Sequence, residues 1–96
     1  MQYSGRARLQ YAAKHRIIGS GHAELVEVND EVNIAWKGRL VLDDVVDATF
    51  LAGKTGDHFE LRLLECEDEP VIPAVVRHID RMVVSLVGRE PLPDCG

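Results

Sequence analysis

His58-Phe-Glu-Leu-Arg-Leu-Leu64 alternates apolar and polar residues almost without a break. Phe59, Leu61 and Leu63 fall on one side, and His58, Glu60 and Arg62 on the other. That is the period of two of a half-buried β-strand, and a helix has a period of 3.6. Working outward, Val32, Ile34 and Trp36 alternate with Asn33 and Ala35 in the same way. Met82, Val84 and Leu86 alternate with Val83, Ser85 and Val87, and there both faces are apolar. Such a strand is either covered on both sides or closed into a barrel.

The punctuation between these runs agrees with strands. Gly19-Ser-Gly21 separates a first strand, 6–14, from a second, 22–28. Gly53-Lys-Thr-Gly-Asp57 precedes the Phe59 strand, and the acidic run Glu65-Cys-Glu-Asp-Glu-Pro70 turns the chain into a strand over 71–78. A tight connection at Ile79-Asp80 feeds the last strand, 81–87. Strands about ten residues apart, with Gly, Pro or Asp between them, predict an all-β barrel or sandwich. One segment reads two ways. Residues 44–52 make either a short helix capped by Asp43 and stopped by Gly53, or a loop with a piece of strand, since Val45, Val46 and Thr49 are β-branched. Residues 1–89 form one domain, and the two prolines of 90–96 mark a flexible tail.

Charge is unevenly spread along the 96 residues, whose net charge is −5. Residues 1–23 hold Arg6, Arg8, Lys14 and Arg16 and no acid, whereas the remainder carries 7 basic and 16 acidic side chains. The basic first strand is expected either to form an anion-binding edge or to pair with acidic neighbours. A polyanion is repelled by the whole molecule, so binding to a nucleic acid polymer is excluded as the main function. No apolar run approaches the length of a membrane span, and no apolar signal segment leads the chain, so a cytoplasmic protein is expected. Cys66 and Cys95 are expected to be free thiols in that compartment.

Convergent catalytic chemistry is missing from the pattern. His15, His22, His58 and His78 stand at no zinc spacing, and there is no CxxC, GxSxG, Walker loop or GxGxxG. The clusters Asp43, Asp44, Asp47 and Glu65, Glu67, Asp68, Glu69 lack the order of a calcium loop and read as solvated turns. Trp36 reads as core, with its indole N–H finding a partner near the barrel rim. No enzyme, no metal and no cofactor is expected.

Taken together, the order of segments resembles the PilZ domain family. Gly21-His-Ala-Glu-Leu-Val-Glu-Val-Asn29 matches the family's strand into its (D/N)xSxxG motif. His58–Leu64 and Val71-Ile-Pro-Ala-Val-Val-Arg-His-Ile-Asp80 match the later hairpin, and Arg81–Val87 closes it. The resemblance implies a small six-stranded antiparallel β-barrel, in a family that often binds the bacterial second messenger cyclic di-GMP.

The ligand motifs depart from the family pattern. Laid on (D/N)xSxxG, this chain reads Glu27-Val-Asn-Asp-Glu-Val32, so Glu27, Asn29 and Val32 replace Asp/Asn, Ser and Gly. A β-branched valine does not take the conformations that glycine supplies. Glu27, Asp30 and Glu31 would repel phosphates. RxxxR is missing too, with only Arg6-Ala-Arg8 in its place. The resemblance therefore implies a non-catalytic regulatory module that does not bind cyclic di-GMP in the usual way and acts through a protein partner or a homodimer. On that reading the corner between the second and third strands is a plain turn. Two alternatives stand beside it. One is an atypical cyclic di-GMP receptor, with Arg6, Arg8 and Arg16 on the phosphates and Glu27 and Asn29 on guanine. The other is an SH3-like or Sm-like barrel serving as a structural assembly subunit.

Overall fold

The computed structural model describes residues 2–12, 16–29, 32–43, 53–54 and 56–94. They form six strands and no helix: β1 (Gln2–Tyr11), β2 (Arg16–Glu27), β3 (Trp36–Leu42), β4 (His58–Leu63), β5 (Val71–Asp80) and β6 (Val83–Gly88). All neighbours are antiparallel, and the order β1-β2-β3-β6-β5-β4 closes on itself as a barrel. The six-stranded antiparallel β-barrel expected from the sequence is the fold observed. The alternative of a helix over 44–52 lies outside the described residues.

Alternation builds the core. In β1 the buried residues are Tyr3, Gly5, Ala7 and Leu9, and in β4 they are Phe59, Leu61 and Leu63. With Leu25, Leu40, Val76, Val84 and Leu86 these side chains fill the interior and are shut off from water. Burial of each of the Leu, Val and Phe side chains stabilises by about 1.5–3 kcal/mol relative to exposure. Ring closure uses β1 twice. Its whole length pairs with β2, and Ala7–Tyr11 pairs in register with Leu63–Phe59 on β4. Where β1 and β4 diverge, the Leu64 amide donates to the Arg6 carbonyl at 3.0 Å. The Tyr3 hydroxyl donates to the same carbonyl at 2.6 Å, and the Arg6 amide donates to the Glu65 carboxylate. The backbone groups of Arg6 on the open edge of β1 are thereby satisfied without another strand.

Several boundaries differ from the sequence reading. Gly19-Ser-Gly21 is no turn; it lies inside β2, and the reversal falls in the segment between Tyr11 and Arg16. The reason is close approach of the backbone. A Cβ on Gly21 would lie 1.9 Å from the carbonyl oxygen of Val41 on β3. Val32 and Ile34 are not strand residues either, because β3 begins at Trp36 and the preceding stretch is a turn. The connection between β5 and β6 is at Arg81-Met82, with Arg81 in the left-handed region at φ 58°.

Trp36 is fully buried, as expected, but its indole nitrogen has no hydrogen-bond partner. The ring lies so close to Gly88 that a Cβ there would stand 2.0 Å from Nε1. Packing of the indole therefore outweighs an unmet donor that costs about 1–3 kcal/mol. Cys66 is disulfide-bonded, which corrects the expectation of free thiols. Cys95, outside the described residues, is the chain's one other cysteine. Leu92 is buried in the same core as Cys66, so this stretch of the tail packs against the barrel.

Gly21→Ala is expected to destabilise the protein by about 2 kcal/mol or more, because the obstacle is backbone that cannot rotate away. At Gly19 the nearest atom is the Leu42 Cδ2 at 3.3 Å, the end of a movable side chain. Urea denaturation should therefore give a much smaller loss for Gly19→Ala, and equal losses would contradict the close approach.

Candidate functional site

The corner between β2 and β3 is held by two backbone bonds. Val28 N–H donates to the Ala35 carbonyl at 2.9 Å, and Ala35 N–H donates to the Gly88 carbonyl at 2.7 Å. The second bond ties the corner to the end of β6. At its tip Asn33 takes the left-handed conformation, φ 66°, which Asn tolerates better than most side chains. Val32 beside it is 85% exposed, the most exposed large hydrophobic side chain described.

Facing this corner are residues brought by β5 and β6. The register of β5 against β6 slips between Val76 and His78, leaving Arg77 as the extra residue of a β-bulge. Val76 is buried, but Arg77 and His78 are both exposed, so two successive side chains point outward. A bulge re-aims a side chain in this way. Arg77 and Arg89, just beyond β6, line one cavity of about 440 Å³ with Val32, Asn33, Ile34 and Val87. Neither arginine side chain has a hydrogen bond or ion pair among the described residues. Asp30 and Glu31, in the same connection, lie outside the described residues.

A second groove, about 660 Å³, continues across the outer face of β2, β3 and β6 and shares Arg77 and Val87 with the first. The ladders explain its composition. Val26 on β2 pairs with Lys37 on β3, Lys37 with Val87 on β6, and Val87 with Val75 on β5. One row of outward side chains is therefore apolar except for Lys37. The next row runs Glu24, Arg39, Ser85, His78. Arg39 holds Glu24 at 3.2 Å. By count the groove is lined by three cations, Lys37, Arg39 and Arg77, and one acid, Glu24, on a chain of net charge −5; Lys37 and Arg39 both have partners.

The residues singled out from the sequence do not meet in space. Arg6 and Arg8 both point outward from β1, as expected. They pair with His22 and Ser20 of β2, however, and Glu27 is five and seven residues further along that strand. At about 3.3 Å per residue the separations are roughly 17 and 23 Å. Arg16 opens β2 at its opposite end from Glu27, eleven residues away along the strand. Asn29 follows β2 and is exposed. Arg6 is occupied by Asp43, with Nη1 on Oδ1 at 3.0 Å and Nη2 on Oδ2 at 2.5 Å. The basic strand thus pairs with an acidic neighbour at this point.

Sequence reasoning did not reach Arg77, Arg89, Lys37 and Arg39 as a group. The two strands that carry the first pair meet only through the β5–β6 ladder, and a bulge leaves little trace in an apolar run such as Ala74-Val-Val76. The single available signal was the two consecutive polar residues Arg77-His78 in an otherwise alternating strand. Among the described residues no group of three or more His, Cys, Asp or Glu side chains is placed to hold a metal ion. No helix among them is long and apolar enough to cross a membrane. No family model, curated protein or solved structure matches the chain.

The hydrogen bonds from Arg6 hold the Asp43 carboxyl below the usual carboxylate range. A depressed value in the folded state means a contribution to stability that is full above about pH 4 and lost as acid protonates Asp43. Both side chains are about half exposed, 45% and 57%, so solvent keeps that contribution small. An NMR pH titration should find the Asp43 midpoint depressed, and Arg6→Gln should return it to the ordinary value. A midpoint unchanged by Arg6→Gln would contradict the pair.

Proposed function

We propose that this chain is a non-catalytic adaptor barrel that docks a partner protein across the outer face of β2, β3, β6 and β5. The observation that carries the reading is the cross-strand row Val26, Lys37, Val87, Val75, an apolar strip on a positive surface. Val26 is 50% exposed, although β-strand faces turned to water usually carry polar side chains. The partner it fits is a segment that sets carboxylates beside small apolar side chains. Charge gives the direction: a positive groove on an acidic protein steers an acidic segment to one place. Two copies joined by this face through a two-fold axis would bring like charge against like.

The reading keeps the PilZ-type module inferred from the sequence and its unusual relation to cyclic di-GMP. The barrel of six antiparallel strands is consistent with the resemblance. The gap of roughly 17–23 Å along β2 speaks against one clamp made of Arg6, Arg8 and Glu27. As for compartment, the disulfide at Cys66 suits an oxidising environment better than the reducing cytoplasm expected above.

The test is an NMR titration of the labelled chain with a twelve-residue peptide alternating Val and Glu, and with its Val/Lys counterpart. The Val/Glu peptide should move the amides of Val26, Lys37, Arg39, Ser85 and Val87, and the double variant K37E/R39E should abolish the effect. Equal binding of the Val/Lys peptide, or shifts confined to β1 and β4, would contradict the proposal. Sedimentation that revealed a dimer sensitive to K37E/R39E would give the face to a second copy instead.

A further inference from the structure

The corner cavity asks for a different occupant from the flat strip beside it. Arg77 and Arg89 line one cavity of about 440 Å³, and neither side chain has an ion pair or hydrogen bond among the described residues. Paired acids hold other arginines of this barrel, as Asp43 holds Arg6 and Glu24 holds Arg39. Like charges lining one small space repel, and an anion between them removes that repulsion while accepting forked hydrogen bonds from each planar group.

The remaining walls are not those of a simple ion site. Val32 and Ile34 come from the corner, and Val75, Val76 and Val87 from β5 and β6. Asn33 adds the one neutral polar side chain of the lining. The volume is within the range of small-molecule sites, which pair an apolar enclosure with a few fixed polar groups. The exposure of Val32 also makes sense here, since a ligand with an apolar body would cover it.

The backbone around the cavity is tied together before any ligand arrives. Arg77 is aimed by the β-bulge, Arg89 follows directly from β6, and the Ala35–Gly88 backbone bond ties the Val32–Ile34 wall to that strand end. Gly56 N–H donates to the Val76 carbonyl at 2.9 Å and joins the β3–β4 connection to the same place. A wall whose backbone is held in this way loses less entropy on binding.

The geometry points to a binding site for a small organic anion, an apolar or aromatic body bearing one carboxylate or phosphate head, with the head between Arg77 and Arg89 and the body against Val32, Ile34 and Val87. This goes beyond the docking of a protein segment, and Arg89 separates the two: it lines the corner cavity and is not part of the docking groove.

The experiment is a titration of the full chain by NMR with phenyl phosphate, benzoate, inorganic phosphate and benzyl alcohol. Phenyl phosphate or benzoate should move the amides of Asn33, Val75, Arg77 and Arg89, and whichever binds more tightly identifies the head group. Inorganic phosphate should bind at least tenfold more weakly, and benzyl alcohol should leave the spectrum unchanged. Arg77→Ala and Arg89→Ala should each weaken binding about tenfold, as expected for a lost charge-assisted hydrogen bond. Arg89→Ala should leave the response to the Val/Glu peptide intact. Three results would overturn the assignment: shifts away from the corner, equal affinity for inorganic phosphate, or an affinity unaffected by Arg89→Ala. Both arginines are exposed, so an unchanged spectrum of each free variant verifies that its fold is kept.

Discussion

Everything in this molecule depends on β1 pairing with two neighbours. Against β2 it runs from Gln2 to Tyr11, and against β4 it adds Ala7 to Tyr11. The second ladder turns a curled sheet into a closed ring and gives the inward residues of all six strands a common interior. It also aligns Leu9 with Leu61 and Tyr11 with Phe59, whose rings lie 5.1 Å apart at their centroids. The Tyr11 hydroxyl is anchored to Asp57 at 3.0 Å, just before β4 begins. Closure removes most of the exposed edge that a small sheet must otherwise protect. At the point where the two strands part, Tyr3 and Glu65 take over the backbone groups of Arg6.

The surface follows from the interior by alternation. Once Leu25, Leu40, Leu86 and Val76 face inward, Val26, Lys37, Arg39, Val87 and Ser85 have to face outward, and the ladders set them side by side. A single irregularity breaks the pattern. The bulge at Arg77 puts a guanidinium where the regular pleat would not, at the junction of the groove and the corner cavity. A change of one residue in register thus leaves Arg77 and His78 both on the outer face.

Much of the fold was legible because period two survives in β1, β4 and β6 and because acids and glycines mark the turns. What failed did so for identifiable reasons. Gly19-Ser-Gly21 looks like a turn because glycine more often serves flexibility, yet Gly21 is needed for a backbone contact with Val41 that no local pattern reveals. Val32 and Ile34 alternate like a strand but lie in the corner, where turn geometry at Asn33 overrides the apolar period. The disulfide at Cys66 depends on where the tail packs, and Leu92 gives no periodic sign that it is core. The site was less legible than the fold. Arg6, Arg8, Arg16, Glu27 and Asn29 follow a linear motif, whereas Arg77 and Arg89 meet through strand pairing alone.

The central claim is the closure of the ring, since the placing of both grooves depends on it. Native-state hydrogen exchange measures it directly. Amides bonded across β1 and β4, together with the Leu64 amide that donates to Arg6, should exchange as slowly as those across β3 and β6. Fast exchange limited to the β1–β4 seam, with the other ladders still protected, would mean an open sheet and would contradict this account.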